Sequence, residues 1–399
     1  MEKDFFRIYG GSSKYLDKLL PILWEVSKKN DVKYFIDAFG GGGHVLLNNL
    51  GYVNRYGVYI RYTYRLFCDS DIATTDLAEL IKNGRYSEVY DWIKNKFNGR
   101  LSPEQYRACR DYHRFSYCLP WNEDLDPVAR AGMISVAKLA SYDGTQIMST
   151  YVRNDEEKIS GKLTDLCYSN ISQNDLSNVE IRNADSFEIL NDERYWGKSY
   201  LKFIDPPWIH SIRAVTSEYT TEMAAREEDA EIERKRLTRL IAFCDEKTAA
   251  EKAPEVRRIW KEKKRIAECD LKLVHSHQEL LELLCNDDMH SVVMIGYDFP
   301  EKADLLRRLN EVMLDHDMRI ERYEEDLELT QDKRREKALK ATVKQQNTIF
   351  EKKRAALEEM LEHGPFYAEL ERHGYVKKRL VQQENVKGED NSVYIWYKL

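Results

Sequence analysis

The chain has 399 residues, of which 33% are charged, with a formal net charge of -7 and a mean hydropathy of -0.64. That length supplies one large domain or two with a buried core, and so polar an average requires part of it to lie in solvated helices. No run of about 18 apolar residues occurs, the opening MEKDFFRIYGG has no apolar signal core and no two cysteines form a C-x-x-C pair. Those absences exclude membrane, secretory, zinc-cluster and disulfide-framework classes as expectations and leave a cytoplasmic protein with no metal.

In chain order, residues 34–51, YFIDAFGGGGHVLLNNLG, read as a short apolar strand, a glycine turn and the opening of a helix. Residues 200–208, YLKFIDPPW, repeat that logic: proline cannot continue a ladder, so the strand ends in a loop at a sheet edge. Further strands are expected at 291–297 and in the C-terminal SVYIWYKL, with helix-patterned QELLELLC before the first and ADLLRRLNEVML after it. The alternation implies a largely parallel sheet covered by helices. Between these blocks, residues 222–272 and 320–362 are rich in Glu, Lys, Arg and Ala and read as long solvated helices. In the first, Leu237, Leu240, Ile241 and Cys244 make one face and Val256, Ile259, Lys263 and Ile266 another, with a break at Ala253-Pro254, which fits an antiparallel hairpin. The plain reading of both stretches is a spacer or an arm for self-association or a protein partner; DNA clamping is the sharper one.

Two motifs carry chemistry. Glycines after a strand, here Gly40-Gly41-Gly42-Gly43 following Phe39, let the backbone approach a ligand and expose helix N-terminal amides, which suits a nucleoside or a carboxylate. The pattern is neither a triphosphate loop nor the dinucleotide G-x-G-x-x-G. The second motif is Asp205-Pro206-Pro207-Trp208. An adenine N6 amine is a poor nucleophile because its lone pair is delocalised into the ring. A carboxylate and a carbonyl that accept its hydrogens localise that pair, rigid prolines fix the geometry and an indole stacks an extruded base.

With these motifs in this order the sequence resembles the Dam-like DNA adenine-N6 methyltransferases. The resemblance runs from Phe6-Arg7-Ile8-Tyr9-Gly10-Gly11-Ser12-Ser13-Lys14, similar to the cofactor segment, through Phe35-Ile36-Asp37-Ala38-Phe39-Gly40-Gly41-Gly42-Gly43, similar to the glycine motif. It continues through 128–144, similar to a recognition-region helix and turn, and Ile181-Arg182-Asn183-Ala184-Asp185-Ser186-Phe187, similar to the strand-end acid near the cofactor adenine. Glu218-Tyr219-Thr220-Thr221-Glu222-Met223 and His277-Gln278-Glu279-Leu280 look like one family segment split by the first charged stretch. The resemblance implies S-adenosylmethionine as cofactor, bound by Tyr9, Gly10, Gly11, Lys14, Asp37, Phe39, Gly40, Gly41, Gly42, Asp69, Asp185 and Phe187. Asp69, in Cys68-Asp69-Ser70-Asp71, is assigned the ribose hydroxyls in preference to Asp71. Trp208 stands where the family more often has tyrosine, and Asp143 where asparagine is usual.

An acidic total does not advertise a nucleic-acid binder, so DNA contacts are expected from a local patch. Arg61 and Arg65 with their interleaved tyrosines, and Arg114, supply it, and the resemblance adds Tyr142 and Asp143 of the recognition turn. The fold implied is an α/β class I S-adenosylmethionine-dependent methyltransferase sheet, Rossmann-like, over 1–73, 179–221, 273–319 and 363–399. A mainly helical recognition subdomain occupies 74–178, and the two charged helical insertions occupy 222–272 and 320–362. The expected activity is methyl transfer to adenine N6 of double-stranded DNA by base flipping. The same chemistry on RNA or on cytosine N4, and a cofactor-binding but catalytically silent methyltransferase-like DNA-binding or complex subunit, are the alternatives.

Overall fold

The computed structural model describes residues 5, 15–49, 61–97, 102, 104–106, 108–109, 126–139, 171, 173–207, 223–224, 226–286, 289, 291–296, 302–330, 332–363, 367–381 and 393–398. Its centre is a seven-stranded mixed sheet: β1 (Tyr34–Asp37), β2 (Tyr64–Asp69), β3 (Val179–Asn183), β4 (Tyr200–Ile204), β5 (Val292–Gly296), β6 (Tyr375–Val381) and β7 (Val393–Lys398), in the order β3-β2-β1-β4-β5-β7-β6. β3, β2, β1, β4 and β5 are parallel, whereas β7 runs antiparallel to both β5 and β6. From β1 the chain builds outward through β2 to β3 and then crosses to β4 on the other side of β1. The β1–β4 boundary is therefore the point where the winding reverses, and in such sheets the crevice at the carboxyl ends there receives ligands.

Alternation along the strands divides the core between two faces. Phe35, Leu201 and Phe203 point to one, where the helices Leu16–Lys29, Ile72–Lys82, Tyr86–Phe97 and Pro127–Leu139 pack through Leu19, Leu77, Ile93 and Ile134. Ile36, Leu66 and Ile204 point to the other, covered by Ser186–Asn191, His277–Leu284 and Ala368–Arg372. The described helices of the stretch expected as a recognition subdomain thus join the core of the sheet. β6 has no counterpart in the sequence reading: its Lys377-Lys378-Arg379 run looks like a solvated segment, yet positive charge on an edge strand is a standard means of blocking edge-to-edge pairing. Cys68, Cys109 and Cys244 are free and buried, and burial pushes the Cys109 thiol up to about 12. Among the described residues no helix is long and apolar enough to cross a membrane.

The first charged stretch is an antiparallel hairpin of Glu227–Ala250 and Pro254–Lys272, with Pro254 at the first turn of the second arm, where its missing amide costs nothing. Leu237, Cys244 and Ala267 form its seam, but Val256 and Ile259, expected on the inner face, are 38% and 53% exposed. The second hairpin pairs Lys302–Leu329 with Lys333–His363. Its first arm begins well before residue 320, because no glycine or proline interrupts the helix from Lys302 onward. Each arm packs mainly on its own partner arm, and neither hairpin packs substantially against the other among the described residues.

Candidate active site at the carboxyl edge

The glycine turn leaves β1 after Asp37 and enters the helix His44–Asn48. Gly40 donates its amide to the Cys68 carbonyl of β2 (2.7 Å), and a Cβ there would collide with the Phe67 ring, so close approach to β2 requires glycine. Gly43 has φ 71°, and a Cβ on it would lie 2.6 Å from the Phe5 ring. Phe5 covers the turn: its amide donates to the Gly42 carbonyl (2.8 Å) and its ring meets Phe67 edge-on at 5.3 Å. These glycines are fixed by packing as well as by any ligand.

At the end of β2, Asp69 accepts the Gly41 amide on Oδ2 (2.7 Å) and the Asp71 amide on Oδ1 (2.8 Å), which places its carboxylate against the turn. Asp71 caps the helix Ile72–Lys82, accepting from the Ala73 amide (2.9 Å) and the Thr74 hydroxyl (3.0 Å). The cap accounts for Asp71 and leaves Asp69 as the acid beside the glycines. Asp37 is expected to touch cofactor, but it is 2% exposed and lies beneath the turn. Burial first, and then the charge of Asp205, hold its carboxyl well above the usual carboxylate range, against the Leu46 amide that lowers it. Its Oδ1 has no hydrogen-bond partner among the described residues, and the contact with the Leu46 amide makes Asp37 a brace between β1 and the following helix. β4 ends at Ile204, and the chain continues as half-buried Asp205, buried Pro206 and exposed Pro207.

A short strap, 274–277, crosses the same edge. Ala224 and Ser276 form a bridge, with the Ala224 amide donating to the His275 carbonyl (2.9 Å) and the His277 amide to the Ala224 carbonyl (2.8 Å). Ser276 and Glu279 close a capping box at the start of the helix His277–Leu284. Arg234 of the first hairpin ties the strap down through Glu279 Oε1 (2.7 Å), the Val274 carbonyl (3.1 Å) and Glu227. His275 reaches toward the end of β3: its Nε2 lies 2.6 Å from Asp185 Oδ2 and its ring stacks on Phe187 at 3.9 Å. Burial works against its charge, but Asp185 and Glu279 outweigh it and raise the pKa. Asp185 also caps Ser186–Asn191 by accepting the Phe187 amide (3.0 Å). The two residues expected at the cofactor adenine are therefore adjacent to the edge, but Phe187 is 7% exposed and stacked against a histidine. His277 reaches toward β4, its Nε2 lying 2.9 Å from the Pro207 carbonyl.

The structure thus gathers the glycine turn, Asp69, Asp185 and Asp205-Pro206-Pro207 at one edge around the winding reversal. Phe39 lies half-buried beside this group. Tyr9, Gly10, Gly11, Lys14, Trp208, Arg114, Tyr142 and Asp143 lie outside the described residues. Arg65, expected at a DNA surface, is 2% exposed within β2. Its Nε donates to Asn178 Oδ1 (2.9 Å) and its Nη2 to the Asp175 carbonyl (2.7 Å), and burial pushes its pKa down to about 10. It joins β2 to the turn before β3 from inside the sheet and does not form part of an exposed basic patch. Arg61 is exposed but precedes β2, at the opposite edge of the sheet from Asp69.

Sequence reasoning assigned no role to His275, His277 or Lys202. The Ser276-x-x-Glu279 spacing is a readable capping box that fixes where the helix begins and so where the two histidines stand. Lys202 is fully buried in β4, where burial pushes its amine down to about 7. Nothing in the strand pattern marks it as other than an outward-facing residue. No known protein family model matches the chain, and no curated protein matches it.

Proposed function

We propose that the chain is a site-specific methyltransferase that moves a methyl group from S-adenosylmethionine to adenine N6 of double-stranded DNA. The observation that carries this reading is the placement of the glycine turn after β1, Asp69 after β2 and Asp205-Pro206-Pro207 after β4 around one winding reversal. The sheet order adds support by fold analogy: its first five strands follow the dinucleotide-binding order, and an antiparallel strand wedged between the last two is what a class I methyltransferase sheet adds. The residues present suit the cofactor's chemistry, since Asp69, a strand-end carboxylate held against the glycine turn, would accept the ribose hydroxyls, and the close-approach backbone at Gly40 leaves room for a nucleoside. When bound, S-adenosylmethionine supplies an electrophilic methyl group.

The chain's own contribution is made at the base. Asp205 Oδ and the Pro206 carbonyl accept the two N6 hydrogens of an extruded adenine, which draws the amine lone pair out of the ring and aims it. The prolines prevent the acceptors from swinging away, and Trp208 stacks the ring. After transfer the amine's surplus proton leaves to solvent. Incubating the protein with radiolabelled S-adenosylmethionine and duplex DNA, single-stranded DNA or RNA tests the assignment: label is expected in adenine of duplex DNA. Label in RNA or in cytosine redirects the substrate, and none in any of them removes the activity.

One observation favours the second reading, a methyltransferase-like DNA-binding subunit without turnover: His275 covers the Phe187 face and engages Asp185. The silent subunit would still bind S-adenosylmethionine, so calorimetric titration that shows binding together with no label transferred to any nucleic acid is the result that favours it.

A further inference from the structure

The sequence of the turn after β4 leaves it short of anchors. Two consecutive prolines have no amide hydrogens, so neither Pro206 nor Pro207 is held by its own N–H, and the turn depends on groups that donate to its carbonyls. His277 is such a group. Its Nε2 lies 2.9 Å from the Pro207 carbonyl oxygen, and its Nδ1 meets the hydroxyl of Tyr367. Both rings are buried, at 2% and 0% exposure, and Tyr367 packs in turn on Trp396 of β7 at 5.0 Å.

A carbonyl only accepts, so the contact with Pro207 fixes the proton on Nε2, leaves Nδ1 as an acceptor and makes Tyr367 the donor to it. Burial pushes the imidazole's pKa down to about 4, against the Pro207 carbonyl that favours the charge, so the neutral ring persists at ordinary pH. The other end of the relay is fixed as well, since His277 opens a helix whose start is locked by Ser276, Glu279 and Arg234.

We infer that His277, oriented by Tyr367, is a positioning residue that holds the Pro207 carbonyl and so aims Asp205 and Pro206 at the base amine. The inference rests on the methyltransferase reading for its consequence but not for its geometry. Nothing in it requires His277 to touch substrate. Loss of the donor therefore acts on kcat and leaves cofactor affinity alone, whereas loss of a merely structural residue acts on both through stability.

Three variants and one spectrum test it. His277→Met removes the donor while keeping an apolar side chain in the buried position, and is expected to lower kcat about 100-fold, the scale of an ångström of misplacement. KM for DNA and the Kd of S-adenosylmethionine should stay within about 3-fold, a range too small to reflect a lost contact. His277→Gln keeps a donor of similar reach and should recover at least about 10-fold of that loss, whatever its melting temperature. Tyr367→Phe should lower kcat by about 10-fold, because the Pro207 contact remains but the imidazole loses the donor to Nδ1 that orients it. Wild-type kcat in His277→Met, or no difference between the Met and Gln variants, overturns the inference. If His277→Met fails to fold, Gln and Tyr367→Phe carry the comparison. In the wild type, 15N-resolved imidazole signals should show the Nε2–H tautomer for His277, unchanged between pH 5 and 8. An Nδ1–H tautomer or a titration near 6.5 overturns the inference even if the chain transfers no methyl group. That spectrum separates failure of the relay from failure of the functional assignment.

Discussion

At the carboxyl edge of the sheet, polar groups are wholly or partly withdrawn from water and oriented by specific partners from other elements: Asp69 by the Gly41 and Asp71 amides, His277 by the Pro207 carbonyl and Tyr367. Along the charged hairpins, polar groups stay in water and pair at helical spacing, as in Arg307–Glu311, Arg319–Asp315 and Arg354–Glu358. Exposed pairs of that kind contribute about 0–1 kcal/mol each, and among the described residues the second hairpin buries fully little beyond Leu305 and Leu357. The contrast teaches where a substitution is felt. A change at the edge alters geometry and charge together, whereas a change along an arm removes one small term among many.

The largest effect is expected from Asp205→Ala. The carboxylate is half-buried at a strand end, and in the proposed mechanism it acts on the base amine in the transition state, so methyl transfer should fall by at least about 1000-fold. Melting temperature and S-adenosylmethionine affinity should stay close to wild type, as thermal scans and calorimetry can establish. Turnover near wild type in this variant sinks the assignment of the motif.

Next in size is Gly43→Val. A β-branched residue at φ 71° whose Cβ lies 2.6 Å from the Phe5 ring must move both the turn and its cover, at a cost of about 2–4 kcal/mol. Chemical denaturation should show that loss together with weaker cofactor binding. An unchanged midpoint would mean that the turn is not held by Phe5.

Lys202→Met is expected to act in the opposite direction. A buried amine with its pKa pushed down to about 7 costs stability wherever it carries charge, so an apolar replacement should stabilise the fold by about 1–3 kcal/mol. The pH dependence gives the sign. The unfolded lysine keeps its proton to about 10.4 while the folded one releases it near 7. Wild-type stability should therefore rise with pH across that interval, and the rise should be absent in the variant. A flat wild-type profile would place the amine in contact with solvent or a carboxylate.

The smallest effect is expected from trimming the first hairpin. The bridge between Ala224 and Ser276 brings its two ends together, so a short Gly/Ser linker in place of 240–264 should close easily. Arg234 and Leu237, which touch the strap and the seam, are retained. Melting should shift by only a few degrees, roughly 1 kcal/mol, with cofactor affinity unchanged. Removing 226–270 instead deletes Arg234 and Glu227 and should loosen the strap. Equal behaviour of the two deletions would show that these ties contribute nothing.

The parts legible in the sequence were those whose cause is local. Apolar runs that end in glycine or Asp-Pro-Pro gave β1 and β4, and of the two acids after β2 the structure uses Asp71 as the cap of the next helix and sets Asp69 against the glycine turn. What escaped depends on partners distant in the chain. Arg65 reads as one member of a basic patch until Asn178 and Asp175 supply its bonds from across the sheet. His277 acquires a role only when Pro207 and Tyr367 are brought to either side of it. β6 was missed because the pattern of an edge strand follows the need to block pairing as much as the need to bury a face. The inner face of the second arm was misread because Val256 and Ile259 obey helical spacing but stand toward the tip of the hairpin, where no core reaches them.

The central claim is that the carboxyl edge of β1, β2 and β4 transfers a methyl group to an adenine amine. The direct test is mass spectrometry of nucleosides from duplex DNA incubated with S-adenosylmethionine carrying a trideuterated methyl group, with wild-type protein and Asp205→Ala in parallel. The account predicts deuterated N6-methyldeoxyadenosine with the wild type and none with the variant. Equal amounts with both proteins, or label recovered only as a methylated cytosine, would contradict it.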